Sequence, residues 1–540
     1  PDPTPDPDPT PDPDPSPAPN PDPDPTPQPG TDPDDTATDD DNNSNNNSNS
    51  NNNNNGENPW ASVVDYSDRP ELDEDGWTIL EPSEDSRIIY VSSSEGDDAN
   101  DGLSPQTPIQ TIAQGVWLLR DGYPDWLMLK AGDTFQDGIR SWGNTHGRSE
   151  SEPIVITSYG EGPRPRLHTG NDGVFQRSGS NPIVRHIAFV GLHFKPEKRD
   201  PSDPDFVLGE ERYPGGWTWL GPGGDVLIED CVIEKYKDNI TIQGGPSNIT
   251  IRRNIIIDAW GKGSHAQGIF AKDVSGLLIE ENVFDHNGYH DLVDGADRTI
   301  FSHNMYLQHG NTNVTVRGNV SSRASAHGLQ FRSGGLCEDN LFIRNGLAMY
   351  NRGTTRRNVV MESDDIAEDL PRGHGMHARF SDPNGPKHID VDGEPDVWEH
   401  NVVLNRIGSL QEAGIVVGDG SYSEGTDPLV VRHNVVKNWN NGDGEGIEIP
   451  SEVPAEAMPA ITLEGNIVDG KRRGTGEPVT FVDGDRNLDS YMQVLGHTGG
   501  FEKFIELHRN RGPGEWNPAL SAQAFGAYMR SGYTSAPTFD

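Results

Sequence analysis

Nine times between residues 228 and 468 the chain repeats one short phrase. Apolar and polar positions alternate, an Asn or Asp interrupts, and the apolar run resumes. The interrupting residues are Asp230, Asn254, Asn282, Asn319, Asn340, Asn358, Asn401, Asn434 and Asn466, set in IEDCVIE, IRRNIII, IEENVFD, VRGNVSS and their successors. Alternation with a period of two predicts strands, and a unit this short must stack on its neighbours to bury a core. The spacing between successive members runs from 18 to 43 residues, too irregular for a repeat whose length is set by a helix. Constant strands with variable loops predict an all-β fold, a single-stranded right-handed parallel β-helix. At each corner a buried Asn would hydrogen-bond the coils on either side.

A second strand precedes each copy, as in SHNMYLQHG and AHGLQFRSG. Its apolar positions Ile240, Ile269, Met305, Leu329, Leu347, Met376, Ile415 and Ile447 are expected to point inward, so their successors face solvent. One outward column then reads Thr241, Phe270, Tyr306, Gln330, Ala348, His377, Val416 and Glu448. Two residues further along, a second reads Gln243, Lys272, Gln308, Arg332, Tyr350, Arg379 and Gly418. Two residues before the inward position, a third reads Asp238, Gln267, His303, His327, Asn345, His374, Ala413 and Glu445.

Upstream of the coils, residues 87–135 give a strand, an acidic Gly-rich turn, an amphipathic helix over about Ile109 to Leu119 and another strand at Leu127 to Lys130. Gly96, Asp97, Asn100, Asp101, Gly102, Ser104, Pro105 and Pro108, followed by Ala131, Gly132 and Asp133, form a GDDANDGLSPQTP turn and an AGDT strand end. This block resembles the amino-terminal cap of pectate-lyase-like β-helix proteins. The resemblance implies a secreted polysaccharide-active protein, in a superfamily that holds lyases, glycoside hydrolases, uronate epimerases and noncatalytic adhesins. Coils are expected over 154–482, and the helical period of 486–540 predicts a C-terminal helical cap, so one domain fills 58–540.

Residues 1–57 are a Pro/Asp-rich run followed by an Asn/Ser-rich run, a composition that cannot bury a core and reads as a disordered linker. It resembles the tethers of secreted bacterial polysaccharide-degrading enzymes, which places the protein outside the cell or tethered at its surface; a leader or a lipidated cysteine is expected to have been removed. With 42 Lys and Arg against 86 Asp and Glu, the formal charge of −44 argues against a nucleic-acid partner. No apolar run approaches the roughly 20 residues of a membrane span. Cys231 and Cys337 fall four coils apart, roughly 19 Å at the strand spacing, too far for a disulfide. A monomer is expected.

In so acidic a chain, the outward columns are unusual in carrying His303, His327, His374, His377 and Tyr306, side chains suited to proton transfer, beside Lys272, Arg332 and Arg379. They fall within about five coils, roughly 20–25 Å, a groove a few sugar rings long. Tyr350 and Phe270 offer stacking surface, and the cations suit a carboxylate. β-Elimination of a uronate chain needs that carboxylate neutralised, a base at C5 and an acid at the leaving oxygen. The expected enzyme is a lyase of an acidic polysaccharide such as alginate or pectate. Tyr306, His303, His327 and Arg332 would be catalytic, with Lys272, Gln330, Tyr350, His374, His377 and Arg379 binding substrate. Asp291, Asp294 and Asp297, spaced by three in a loop beside the groove, are candidate ligands for Ca²⁺; otherwise no cofactor is expected. The same three with Glu448 are the candidate acids of a glycoside hydrolase. A C5 epimerase and a carbohydrate-binding module remain alternatives.

Overall fold

The phrase that reads as one alternating strand is two strands in two sheets, with the ladder residue at the corner between them. Around Asn282 the strands are Ser275–Glu280 and Val283–Asp285, and the coil's remaining strand is Gln267–Lys272. In the structure, a computed structural model, the described residues are 71–533 without 180, 182, 210–211, 213, 264, 372, 379–395, 419–427, 452, 454–457 and 469–483. The linker expected over 1–57, and Arg379, lie outside them. Each coil adds one strand to each of three all-parallel sheets of 13, 12 and 11 strands, the arrangement of a right-handed parallel β-helix.

Register stacks like on like. One inward row runs Phe189, Ile228, Ile251, Ile279, Val316 and Cys337. All six are fully buried, and each aliphatic member contributes about 1.5–3 kcal/mol by leaving water. Corners are tight because the residue before each ladder Asn takes the left-handed region, at φ 52° for Arg253, 55° for Glu281, 59° for Arg357 and 56° for His400. For a non-glycine residue that conformation costs about 1 kcal/mol or more, and the ladder bonds offset it. Asn319 accepts from the N–H and Nδ2 of Asn282 at 2.9 and 3.0 Å, and donates to the Ile279 carbonyl and Asn340 Oδ1 at 2.9 and 3.0 Å.

Two expectations change, and a second ladder is added. Asp230 is not a ladder member: it is the left-handed residue, φ 55°, and Cys231 holds the ladder position, where the Asn254 Oδ1 accepts from its N–H at 2.9 Å. A second asparagine set, Asn239, Asn287, Asn304 and Asn345, fills the opposite corner, with Asn287 Nδ2 donating to Asn304 Oδ1 at 2.9 Å. The C-terminal helices Leu488–Val494, Gly500–Arg509 and Ala522–Arg530 lie along the flank of the twelve-stranded sheet rather than over its end. Val283, Val320, Leu341, Val359 and Val402 form an outward apolar strip there, against which Met492, Phe504, Phe525 and Met529 pack. The amino-terminal helix Ile112–Leu118 does sit at the first coil, its Ile112 and Gly115 buried. Cys231 and Cys337 are buried free thiols.

The residue two before each ladder Asn carries a pattern of its own. In register it reads Glu229, Arg252, Glu280, Arg317, Glu338, Arg356, Glu399, Arg432, Glu464, alternating in sign at every coil. Arg252 is fully buried between Glu229 and Glu280.

Asn319→Ala strands the Asn282 amide and two carbonyls, so the unfolding free energy should fall by about 3 kcal/mol or more in denaturant titration. Cys231→Asn extends the ladder one rung, toward the Phe189 carbonyl that the thiol now faces at 3.6 Å, and should leave stability unchanged or raised.

Candidate active site

Strict alternation would put a residue and its third neighbour on opposite faces, yet His303 and Tyr306 share the outer one, their rings 5.1 Å apart and edge-on. At the start of each strand of the eleven-stranded sheet the chain turns a corner with two consecutive residues inward: Asn304 and Met305, Gly328 and Leu329, Ala348 and Met349, Gly375 and Met376. The first of each pair has little room. A Cβ on Gly328 would come within 2.6 Å of the Ala348 carbonyl oxygen, and one on Gly375 within 2.1 Å of that of Gly414. Positions i and i+3 therefore both project outward, and the pairs His303/Tyr306, His327/Gln330, Leu347/Tyr350 and His374/His377 form one surface.

That surface differs from the expected columns at one coil. Leu347 pairs with His327 and His374, while Met349 takes the inward row and Tyr350 pairs with Gln330 and His377. The expected register is off by two residues, because RNGLAMYNRG offers two apolar positions two apart and only the corner chooses between them. Tyr350 thus joins the Tyr306 column, Arg352 takes the place beyond Arg332, and Asn345 and Ala348 turn inside, both fully buried.

The result is a cleft of about 550 Å³ whose lining includes Tyr306, His303, His327, Gln330, Arg332, Tyr350, His374 and His377. His265, Phe301, His309 and Arg352 also line it and were not expected. Arg352 was hidden by the register slip; the others arrive on loops, where no periodicity points to them. Lys272 is exposed and does not line the cleft. The loop carboxylates Asp291, Asp294 and Asp297 are exposed, and Asp291 instead engages His286 Nε2 at 3.0 Å. Among the described residues, the group of three that converges at ligand distance is His374, His377 and Glu412, so the expected Ca²⁺ ligands do not form a site there. Glu448, half-buried, accepts from Asn441 Nδ2 at 2.9 Å.

Polar contacts in the cleft are specific. Tyr306 Oη accepts from Gln308 Nε2 at 2.7 Å, the Arg332 guanidinium lies 5.5 Å over the Tyr306 ring, and Tyr350 Oη accepts from Arg352 Nε at 3.2 Å. His303 N–H donates to Gln267 Oε1 at 2.8 Å. His303 Nδ1 accepts from the His327 N–H at 3.2 Å and faces His327 Nδ1 at 3.3 Å. An accepting Nδ1 places the His303 proton on Nε2. With Nδ1–H of His327 directed at it, His327 keeps its lone pair on Nε2. Burial, then the positive charges of Arg332 and His265, push His303 down to about 3. Burial and the neighbouring His303, His377, His374 and Arg332 hold His327 well below its ordinary value. Both imidazoles are neutral at neutral pH. No Asp or Glu is among the described residues that line the cleft.

A family model described as a right handed beta helix region matches residues 218–364. The lacto-N-biosidase of Bifidobacterium longum subsp. longum is 45% identical over 105 residues, 19% of this chain; the match spans only 6% of that protein's length. Among solved structures, the chain is similar to a GH136 lacto-N-biosidase from Eubacterium ramulus, at 14% identity over 71% of this chain and 67% of that one with a TM-score of 0.32. It is also similar to an alginate lyase from Paenibacillus sp., at 11% identity over 71% of this chain and 99% of that one with a TM-score of 0.37. No helix among the described residues is long and apolar enough to cross a membrane.

The depressed histidines bear on stability. Unfolding returns each to about 6.5, so below that pH the unfolded chain binds more protons and stability rises with pH. The penalty on the folded state is absent above about 6.5, grows as pH falls, and saturates below about 3 for His303. His303→Gln should flatten the loss of unfolding free energy between pH 6.5 and 5 by on the order of 1–2 kcal/mol, read from denaturant titrations at each pH.

Proposed function

We propose that the protein is a lyase that cleaves a uronate-containing polysaccharide, such as alginate or pectate, by β-elimination outside the cell. The observation that carries this reading is the composition of the cleft: two Tyr, six His of which His303 and His327 are held neutral, and two Arg, with no carboxylate among its described lining residues, in a chain with 86 acidic side chains. An anionic sugar fits that field. A glycoside hydrolase would need two carboxyl groups about 5–10 Å apart across the scissile bond, and the described lining residues include none.

The residues divide the work. Arg332 and Arg352 pair with the uronate carboxylate and stabilise the charge that spreads onto it as the C5–H bond weakens. His327 Nε2 takes the C5 proton; the bound carboxylate, an opposite charge beside the imidazole, raises its basicity from the low value of the empty cleft. Tyr306 Oη–H gives its proton to the glycosidic oxygen at C4. The C4–O bond breaks as the C4=C5 double bond forms, and the Gln308 amide steadies the phenolate left behind. The proton then returns from the imidazolium to Tyr306, leaving the enzyme as it began. His303, with its proton on Nε2, donates to a sugar oxygen, and Tyr350, His374 and His377 line the neighbouring sugar position.

With a panel of acidic polysaccharides, the ultraviolet absorbance of the unsaturated uronate should rise. Tyr306→Phe and His327→Ala should each lower kcat by about 10²–10⁴-fold, and Arg332→Ala should lower kcat/KM by more than it raises KM. New reducing ends without the absorbance would establish a hydrolase instead. Changed residue configuration without shortening would establish an epimerase, and binding that survives Tyr306→Phe with no product would leave a binding module.

A further inference from the structure

At the far end of the same surface stands a cluster that the elimination chemistry does not use. His374 and His377 come from the strand His374–Ala378, one before and one after its inward pair, with rings 4.9 Å apart and edge-on. Glu412 comes from the following coil, where Met376 pairs with Ile415, and its carboxylate reaches back between the two imidazoles. His374 Nδ1 lies 3.1 Å from His377 Nε2, His377 Nε2 lies 3.1 Å from Glu412 Oε2, and His374 Nδ1 contacts that same oxygen. His374 is buried and the other two are half-buried.

Both ring nitrogens are aimed at one carboxylate oxygen, which accepts an N–H from each, so the three atoms converge on one small space. A cation at that centre takes the place of the two protons and turns all three into ligands. Two of the three donor separations suit a small one: at 3.1 Å each spans the edge of a tetrahedron with bonds of about 1.9 Å, close to the roughly 2.0–2.1 Å of zinc to nitrogen or oxygen, and the third pair, His374 Nδ1 and Glu412 Oε2, stands in closer contact and parts to admit the ion. Two imidazoles and a carboxylate are also the mixed donors that transition metals accept, whereas calcium takes six to eight oxygens.

We propose that His374 Nδ1, His377 Nε2 and the Glu412 carboxylate bind one divalent transition-metal ion of the zinc class. Three protein ligands leave a fourth position open, as in zinc sites that engage substrate. Because His374 and His377 both line the cleft, that position faces the bound ligand. The ion carries two positive charges against one from Glu412, so it extends the positive field of Arg332 and Arg352 and accepts an anionic oxygen of the ligand as its fourth partner.

The test needs no substrate, so its outcome is independent of the lyase reading. The full-length chain without an affinity tag, freed of metal with a chelator, is titrated with Zn²⁺ by calorimetry and with Co²⁺ by visible absorption. The expected result is one equivalent of either metal, with ligand-field bands of tetrahedral Co²⁺. His377→Ala and Glu412→Gln should each weaken binding by about tenfold or more. His433→Ala, which breaks the separate stacked pair His400 and His433, should leave it unchanged. Zn²⁺ should raise Tm for the parent chain and not for Glu412→Gln, a change on a half-exposed side chain that leaves the fold in place. No uptake by the parent chain, or uptake that persists undiminished in both ligand variants, overturns the site and leaves a carboxylate shared by two imidazoles.

Discussion

Coil-to-coil spacing governs this molecule. Parallel strands stack at roughly 4.8 Å, so whatever side chain stands at one position meets its counterpart in the next coil at nearly that distance, column after column. Two like charges about 5 Å apart repel by about 3 kcal/mol at an effective dielectric of 20, which no single coil can absorb repeatedly. The fold answers in two ways. In the column that begins at Glu229, sign alternates through nine coils up to Glu464, Arg252 bridges the acids above and below it, and Arg317, Arg356 and Arg432 each pair with the acid of the preceding coil. In the column of His303 and His327, whose rings are 4.9 Å apart, charge is given up: burial and the adjacent Arg332 keep both rings neutral.

Beside that column, the two arginines of the cleft receive neither answer. Arg332 and Arg352 stand on successive coils with no carboxylate among the described residues that line the space in front of them. The repulsion left there is a positive field held in place by the ladder, the sheet hydrogen bonds and the flanking helices. An anion relieves it on binding. Preorganisation of this kind favours a charge that develops on the ligand, because the protein has nothing to rearrange when it appears. The same field that suppresses imidazole basicity in the empty cleft is cancelled by a bound carboxylate, so the base becomes competent where the substrate is.

Sequence alone carried much of this and lost specific parts for physical reasons. The Asn ladder from Asn254 onward was legible because the same buried amide recurs at every corner, and the His and Tyr columns followed from counting outward from apolar positions. Period two cannot say where a corner interrupts it, which is why Leu347 stands for Met349 in the sequence reading, Tyr350 falls in the wrong column and Arg352 is missed. Cys231 hid a ladder position because a small buried thiol fits the same corner as an amide. The Glu/Arg alternation was present in IEDC, IRRN, IEEN and VRGN, but it shows its meaning only once those residues are stacked. The flank packing of 486–533 depended on which face of three-residue strands is apolar, and so short a strand has no period to read. Glu412 follows a loop of variable length, and no spacing links it to His374.

One backbone device underlies both chemistries argued from this surface. Because each strand of the eleven-stranded sheet opens with two inward residues, positions three apart emerge side by side, as close as neighbours on a helix face and on a much stiffer support. At 303 and 306 the corner presents a ring nitrogen and a phenol, a pair that can donate and accept protons. At 374 and 377 it presents two ring nitrogens, and Glu412 from the next coil supplies the anion that makes the pair a ligand set. What differs is the residue that fills the second place of each pair and what the adjacent coil sends toward it. A solenoid can therefore change chemistry along its length by single substitutions at i and i+3 without disturbing the ladder that positions them. The same logic explains why the inward residue at these corners is small in most coils, Gly328, Ala348, Gly375 and Gly414, and is Asn304 where the second ladder needs its amide. Bulk there would push the corner outward and separate the two projecting side chains on which either chemistry depends.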